Sequence, residues 1–464
     1  MDDERRGEHD DESTPDFEEL QRMLRDMLSG QAGGSLDPSM LAKAAGLGGD
    51  PALINQLFST LRGAMSNPSD EIDWSVARRT ALDAASGEGA VNAAPAERAF
   101  PVASLWLDEV TELGPIPDAP RAVSRIEWVQ RSIDTWISLA EPVADSVSQA
   151  LMNAMNTQMP EEMAAALQQA GPMLRSVGGA LFAVQLGSIV GRLSGEVVSA
   201  GDVGIPLFAG DGYEGGALLP GGIASFASGL DQDLEAVTLY LAVRELAHAR
   251  LFRHSKWLRL HLLTAITDYA RGIHIDTDRI EEISRELDPS RPEEIQELLT
   301  SGALIPPKTP AQEAAHARLE TMLALVEGWV DLVTEEATRR LPGASGIAEM
   351  VRRRRAVGGP AERAFAALAG LELRPRKLRE AAAMWRIVAE RGGRVTRDGL
   401  WAHPDLLPTA EEIEAPDLLL TRLGLIAGGG SEIDSLDAEL ERLLRGELPS
   451  GDATGVGEDD PPVV

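Results

Sequence analysis

The stretch "YLAVRELAHARLF", Tyr240–Phe252, decides how the chain is read. One letter separates its centre, Arg244-Glu245-Leu246-Ala247-His248, from H-E-x-x-H. On a helix, residues four apart share a face, so Arg244 and His248 point the same way with Glu245 beside them. In H-E-x-x-H the two imidazoles hold zinc and the Glu acts as general base toward the bound water. A third protein ligand must come from elsewhere, and one coordination position stays open. Arginine cannot stand in for the first histidine: its guanidinium offers donors only and keeps its proton. As written, the motif lacks one ligand and carries a permanent positive charge in its place.

The residues around this stretch predict helices. Asp231 or Asp233 is placed to cap a helix running from about Leu234 to Phe252. Just before it, residues 201–229 are dense in Gly and Pro, which predicts a small hairpin or ordered loop. Upstream, Gly187, Gly191 and Gly195 recur every fourth residue and leave one helix face bare for a close neighbour. Each costs about 1 kcal/mol against Ala in a helix. The apolar run between Arg175 and Arg192 reads as too short for a comfortable membrane span. Met152, Met155, Met159 and Met163 recur at helical spacing and read as packed core.

Further out, periodic segments dominate the 464 residues, and with 3 Tyr and 8 Phe the core must be built from Leu, Ala, Val and Ile. That mix favours helix. We expect a mainly α protein with a small irregular β element before the motif helix. Residues 1–68 read as a flexible acidic arm with short helices and 69–341 as the main helical body. Residues 342–427 read as a C-terminal helical region packed on the body, and 428–464 as a flexible acidic tail. The charge balance, Lys+Arg 43 against Asp+Glu 74, leaves −31. Such a surface disfavours nucleic acid and anionic lipid. Arg352–Arg355 is a local exception, read as a solvated helix face. The absence of cysteine excludes thiolate ligands, disulfides and a Cys nucleophile. With no apolar leader in the acidic N-terminal stretch, we expect a cytoplasmic protein.

Beyond the motif, "DWSVAR" (73–78), "LSGEVVSAGDVGIPL" (193–207), "LALVEGWVDLV" (323–333), "MVRRRRA" (350–356), "WRIVAERGG" (385–393) and "LWAHPDLLPTAEEIEAPDLLL" (400–420) occur in order. Together with the motif they resemble the type 2 zincin-like metallopeptidases of actinobacteria, over roughly residues 70–426. The resemblance implies a zincin-like helical body and a zinc-dependent hydrolase. It places the second zinc histidine at His248, the general base at Glu245 and the later carboxylate ligand at Glu327. The first zinc histidine falls on Arg244, where this chain departs. Arg244 is long and basic, so we expect it to pair with Glu327 and take over the structural role of the cation.

Two functional classes follow. One is a non-catalytic zincin-fold protein without cofactor that binds a peptide or protein in the old cleft. The other is an active zinc enzyme using His248, Glu327 and a third ligand still to be identified, with Glu245 as base. His254, His261 and His274 are the candidates for that ligand; His254 falls on the wrong side of the motif helix, and His261 and His274 lie on later segments. A remote alternative pairs Glu245-x-x-His248 with Glu313-x-x-His316, plus Glu282 and Glu196, as a di-iron carboxylate site.

Overall fold

A computed structural model describes residues 71–89, 92–158, 161–208, 215–230, 232–272, 308–357 and 376–426, with a few isolated positions besides. The expected helices near 276–300, the tail 428–464 and nearly all of the arm 1–68 lie outside the described residues. By contact the chain divides into Met1–Glu414 and Ala415–Val464. The second unit contributes one described helix, Pro416–Arg422; everything below concerns the first.

The architecture is mainly α. Helix α1 (Trp74–Ala85) starts at Asp73, whose side chain accepts from the Ser75 N–H. Helix α2 is Ala94–Asp108, and α3 (Arg125–Gln158) and α4 (Glu161–Leu193) are long. The glycine spacing on α4 does what its pattern predicts. A Cβ at Gly187 would stand 2.4 Å from the Ala77 carbonyl, and one at Gly191 would stand 2.5 Å from Ala84 Cβ, so α1 lies directly on that face. Arg175–Leu193 does reach the length and apolarity of a membrane span. Here its glycine face is taken up by α1. Of the methionine stripe, Met159 lies outside the described residues, as do the side chains of the other three.

The segment after α4 holds the small irregular β element expected before the motif helix, as an ordered loop with a distant strand partner and not as a hairpin. A 3-10 turn, Ala200–Val203, comes first. Strand β2 (Ala217–Leu218) then pairs in parallel with the distant β1 (Arg121–Ala122), Arg121 opposite Ala217. A parallel partner nearly a hundred residues away leaves no trace in local spacing. Residues 220–228 form a short helix, α5, opened by Pro220 at its first turn.

Helix α6 (Leu234–His254) is the motif helix, and Asp233 caps it through the Ala236 N–H at 3.3 Å. It is buried nearly all round. Helix α7 (Lys256–Arg271) leads toward α8 (Pro310–Ala337), which opens with a capping box of Thr309 and Gln312. Helix α9 (Ala344–Val357) and the kinked α10 (Leu378–Gly399) follow. Trp329 of α8 meets Trp401 edge-on, and Trp401 stacks on Trp385 of α10; all three are buried. A Cβ on Gly328 would stand 2.7 Å from Ala381 Cβ, so α8 and α10 touch closely.

Candidate functional site

Helices α6, α8 and α9 meet at one buried carboxylate. Arg244, Glu245 and His248 come from α6, Glu327 from α8 and Arg355 from α9; their exposures are 7%, 2%, 2%, 1% and 6%. The Arg244 guanidinium donates to Glu327 Oε2 and that of Arg355 to Glu327 Oε1. His248 brings Nε2 to 3.2 Å from the same Oε1, and its Nδ1 lies 3.2 Å from the Arg244 carbonyl. Burial alone would push the Glu327 carboxyl up. The guanidinium of Arg355, then that of Arg244, then His248 outweigh burial and hold it well below the usual carboxylate range.

Glu245 binds backbone beside His248. Its Oε2 accepts from the Gly201 N–H and its Oε1 from the Ala217 N–H, each at 2.8 Å. Burial pushes this carboxyl up; the Ala217 amide, His248, Ser199 and the Gly201 amide only partly offset it. The 3-10 turn lies flush on the site: a Cβ at Gly201 would meet Glu245 Oε2 at 2.9 Å and His248 Cβ and Cγ at 3.1 Å. Gly204 has φ +77° and would place a Cβ 3.0 Å from Glu327 Oε1. Glycine is therefore required there for conformation and for space.

The arginine run corrects its reading as a solvated face. Arg352 pairs with Asp331 and Glu335, both at 2.9 Å. Arg354 reaches Asp202 at 2.9 Å and the Glu196 carbonyl at 2.7 Å. Arg355 enters the site. Only Arg353, 66% exposed, points to solvent, beside Glu349. Spacing hints at this: Arg352 and Arg355 are three apart, as Glu327 and Asp331 are four apart, so two arginines of α9 can face two carboxylates of α8.

A zinc ion needs three protein ligands and an open position. His248 and Glu327 are suitable ligands. Arg244 is not, and both oxygens of Glu327 already accept from guanidinium groups. Among the described residues no group of three or more His, Asp or Glu is arranged to hold a metal. Zinc does not fit this arrangement. His254 sits 3.4 Å from the Gly114 carbonyl and His261 packs edge-on against Trp257, while His274 lies outside the described residues. Among the described residues the di-iron set is not assembled either. His316 lies eleven residues before Glu327, about 16 Å along α8. There it neighbours Tyr269 and Glu320. Glu282 lies outside the described residues.

The sequence model of the zincin-like metallopeptidase family matches residues 72–420. No curated protein matches the chain. A crystal structure of a candidate hydrolase with a novel fold from Chloroflexus aurantiacus is similar, with TM-score 0.50 and 21% identity, covering 76% of this chain and 99% of that one. At that identity the likeness speaks for the fold alone.

Proposed function

The chain belongs to the zincin-like metallopeptidase family, and from that premise we propose that it is a non-catalytic member in which guanidinium groups do the structural work of the metal. The observation that carries this is the pairing of Glu327 with Arg244, at the position where the motif's first histidine would stand. A charged pair inside the protein joins α6 to α8 as a shared metal ligand would, without needing metal. The engagement of Glu245 supports the same reading. A general base needs an oxygen turned toward water, and both of its oxygens are held by backbone amides in a buried position. The burial of all five side chains also disfavours a peptide lying directly on them.

The test is metal content and its stability linkage, on protein prepared without a histidine tag. We expect no stoichiometric zinc, and a thermal midpoint that a chelator leaves in place. Zinc at one per chain, lost on His248→Ala, would overturn the proposal and support the enzyme. Arg244→His is the converse probe. It frees Glu327 Oε2 and supplies a second imidazole, so the variant should gain zinc affinity and a zinc-dependent rise in midpoint. No gain would mean that the ligand geometry of the family has not persisted here.

A further inference from the structure

Helices α7 and α8 and the 3-10 turn Pro404–Leu406 enclose a cleft of about 810 Å³. Its walls are tied together at both ends. Ser255 Oγ and Trp257 Nε1, at the start of α7, donate to the Trp401 carbonyl just before the turn, at 2.8 and 3.2 Å. Near the end of α7, Gln312 Nε2 of α8 donates to the Tyr269 carbonyl at 3.3 Å. Trp257, His261, Thr264 and Asp268 share one face of α7, and that face lines the cleft for about 16 Å. Met322 and Leu325 of α8, and Leu407 and Pro408 just past the turn, add apolar lining. Leu260 belongs to the same lining and is 68% exposed. A lone exposed leucine is ordinary, but one set in an apolar cleft marks a surface made for contact. The charged lining is two carboxylates, Asp268 and Asp405, against one guanidinium, Arg318, which stands 4.0 Å from Asp268. Asp405 is 88% exposed beside His403. The cleft is thus apolar with an acidic edge, on a chain of net charge −31.

We propose that this cleft docks an amphipathic helix of a partner protein, about three turns long, with apolar residues facing inward and Lys or Arg flanking them. Three turns of helix match the length of the α7 face. A groove walled by helices takes a helical peptide by its apolar stripe. Charge sets the flanks: an acidic peptide meets Asp405 and a strongly negative molecule, whereas a basic one is steered in and paired. Walls already tied at both ends need little ordering on binding. The cleft stands whether or not the metal reading above is right.

The test uses the full chain and a fluorescent Leu/Lys peptide of about twelve residues with one apolar face, followed by anisotropy. A Leu/Glu peptide of the same pattern is the comparison. We expect the Leu/Lys peptide to bind and the Leu/Glu peptide to bind at least about tenfold more weakly. Ala317 is exposed and lines the cleft from α8, so Ala317→Trp fills it without changing charge. That variant should keep the parent's thermal midpoint and lose about tenfold in affinity. Leu260→Asn, at the exposed rim, should weaken binding as well. Asp405→Lys should weaken it more than Glu349→Lys, which makes the same charge change on α9 outside the cleft. No binding by the parent overturns the proposal, as does a preference for the Leu/Glu peptide. Unchanged affinity in both Ala317→Trp and Leu260→Asn overturns it too. Equal effects of the two Lys variants would show adhesion to an acidic surface and overturn it. A parent dimer that Ala317→Trp dissociates in sedimentation would assign the cleft to a second copy and overturn it likewise.

Discussion

Glu245 joins three segments through two oxygens. One holds the 3-10 turn at Gly201, the other holds β2 at Ala217, and the side chain itself is rooted in α6. A carboxylate suits this task because it accepts at both ends; a carboxamide does not. Glu245→Gln would turn an NH2 group toward one of the two backbone N–H groups. That sets donor against donor and leaves a buried amide unpaired, at a cost of about 1–3 kcal/mol. Urea unfolding of the variant reads this directly. A change below a few tenths would mean that the carboxylate does not hold the loop. Gly201→Ala meets the same carboxylate from the other side, since its Cβ would stand 2.9 Å from Oε2 and 3.1 Å from His248.

At the scale of the element, α9 is fastened by three side chains that reach three different partners. Arg352 ties it to α8, Arg354 to the 3-10 turn, and Arg355 to Glu327. Removing one partner from a buried ionic group is costly, so Arg355→Met should destabilise by about 3 kcal/mol. Arg353→Met, on the exposed side, should stay within about 0.5 kcal/mol. Equal effects of the two changes in urea unfolding would sink this assignment. The same helix shows what was legible beforehand. The motif helix, its Asp233 cap and the bare glycine face of α4 are written locally, in a period or a cap, and a sequence shows them. That Arg244, Glu245, His248 and Glu327 deserved attention together was legible from the ordered resemblance, not from spacing on either helix alone. The partner of β2, the turn lying on the site and the inward path of Arg355 depend on contacts between segments far apart in the chain. Four arginines in a row on a helix look solvated unless the acidic residues they face are known. Glu245 was legible as an important residue but not as a clasp, because the amides it binds are backbone groups that no side chain announces.

For the whole molecule, the two site carboxylates pull stability in opposite directions as pH changes. Glu327 is held below its unfolded value of about 4.3 by Arg355, Arg244 and His248 against the effect of burial. Its contribution is therefore complete above that value and is lost as pH falls through it toward the folded value. Glu245 is raised above the unfolded value by burial. It costs stability above its folded value, and the cost is relieved as pH falls toward about 4.3. On acidification the relief at Glu245 comes first and the loss at Glu327 second. A chain of net charge −31 has many other groups titrating in that range. The difference between parent and Glu327→Gln cancels those shared terms. At neutral pH the variant leaves Arg244 and Arg355 buried without their anion and should be less stable by about 3–5 kcal/mol. The gap should hold from pH 7 to about 5 and narrow progressively below about 4, as the parent's carboxylate loses its advantage over the neutral amide. Denaturant unfolding of both proteins across this range measures the gap directly. A gap that stayed constant down to pH 3 would show that the carboxylate is not held ionised by its guanidinium partners, and the ionic clip between α6, α8 and α9 would then have no energetic basis.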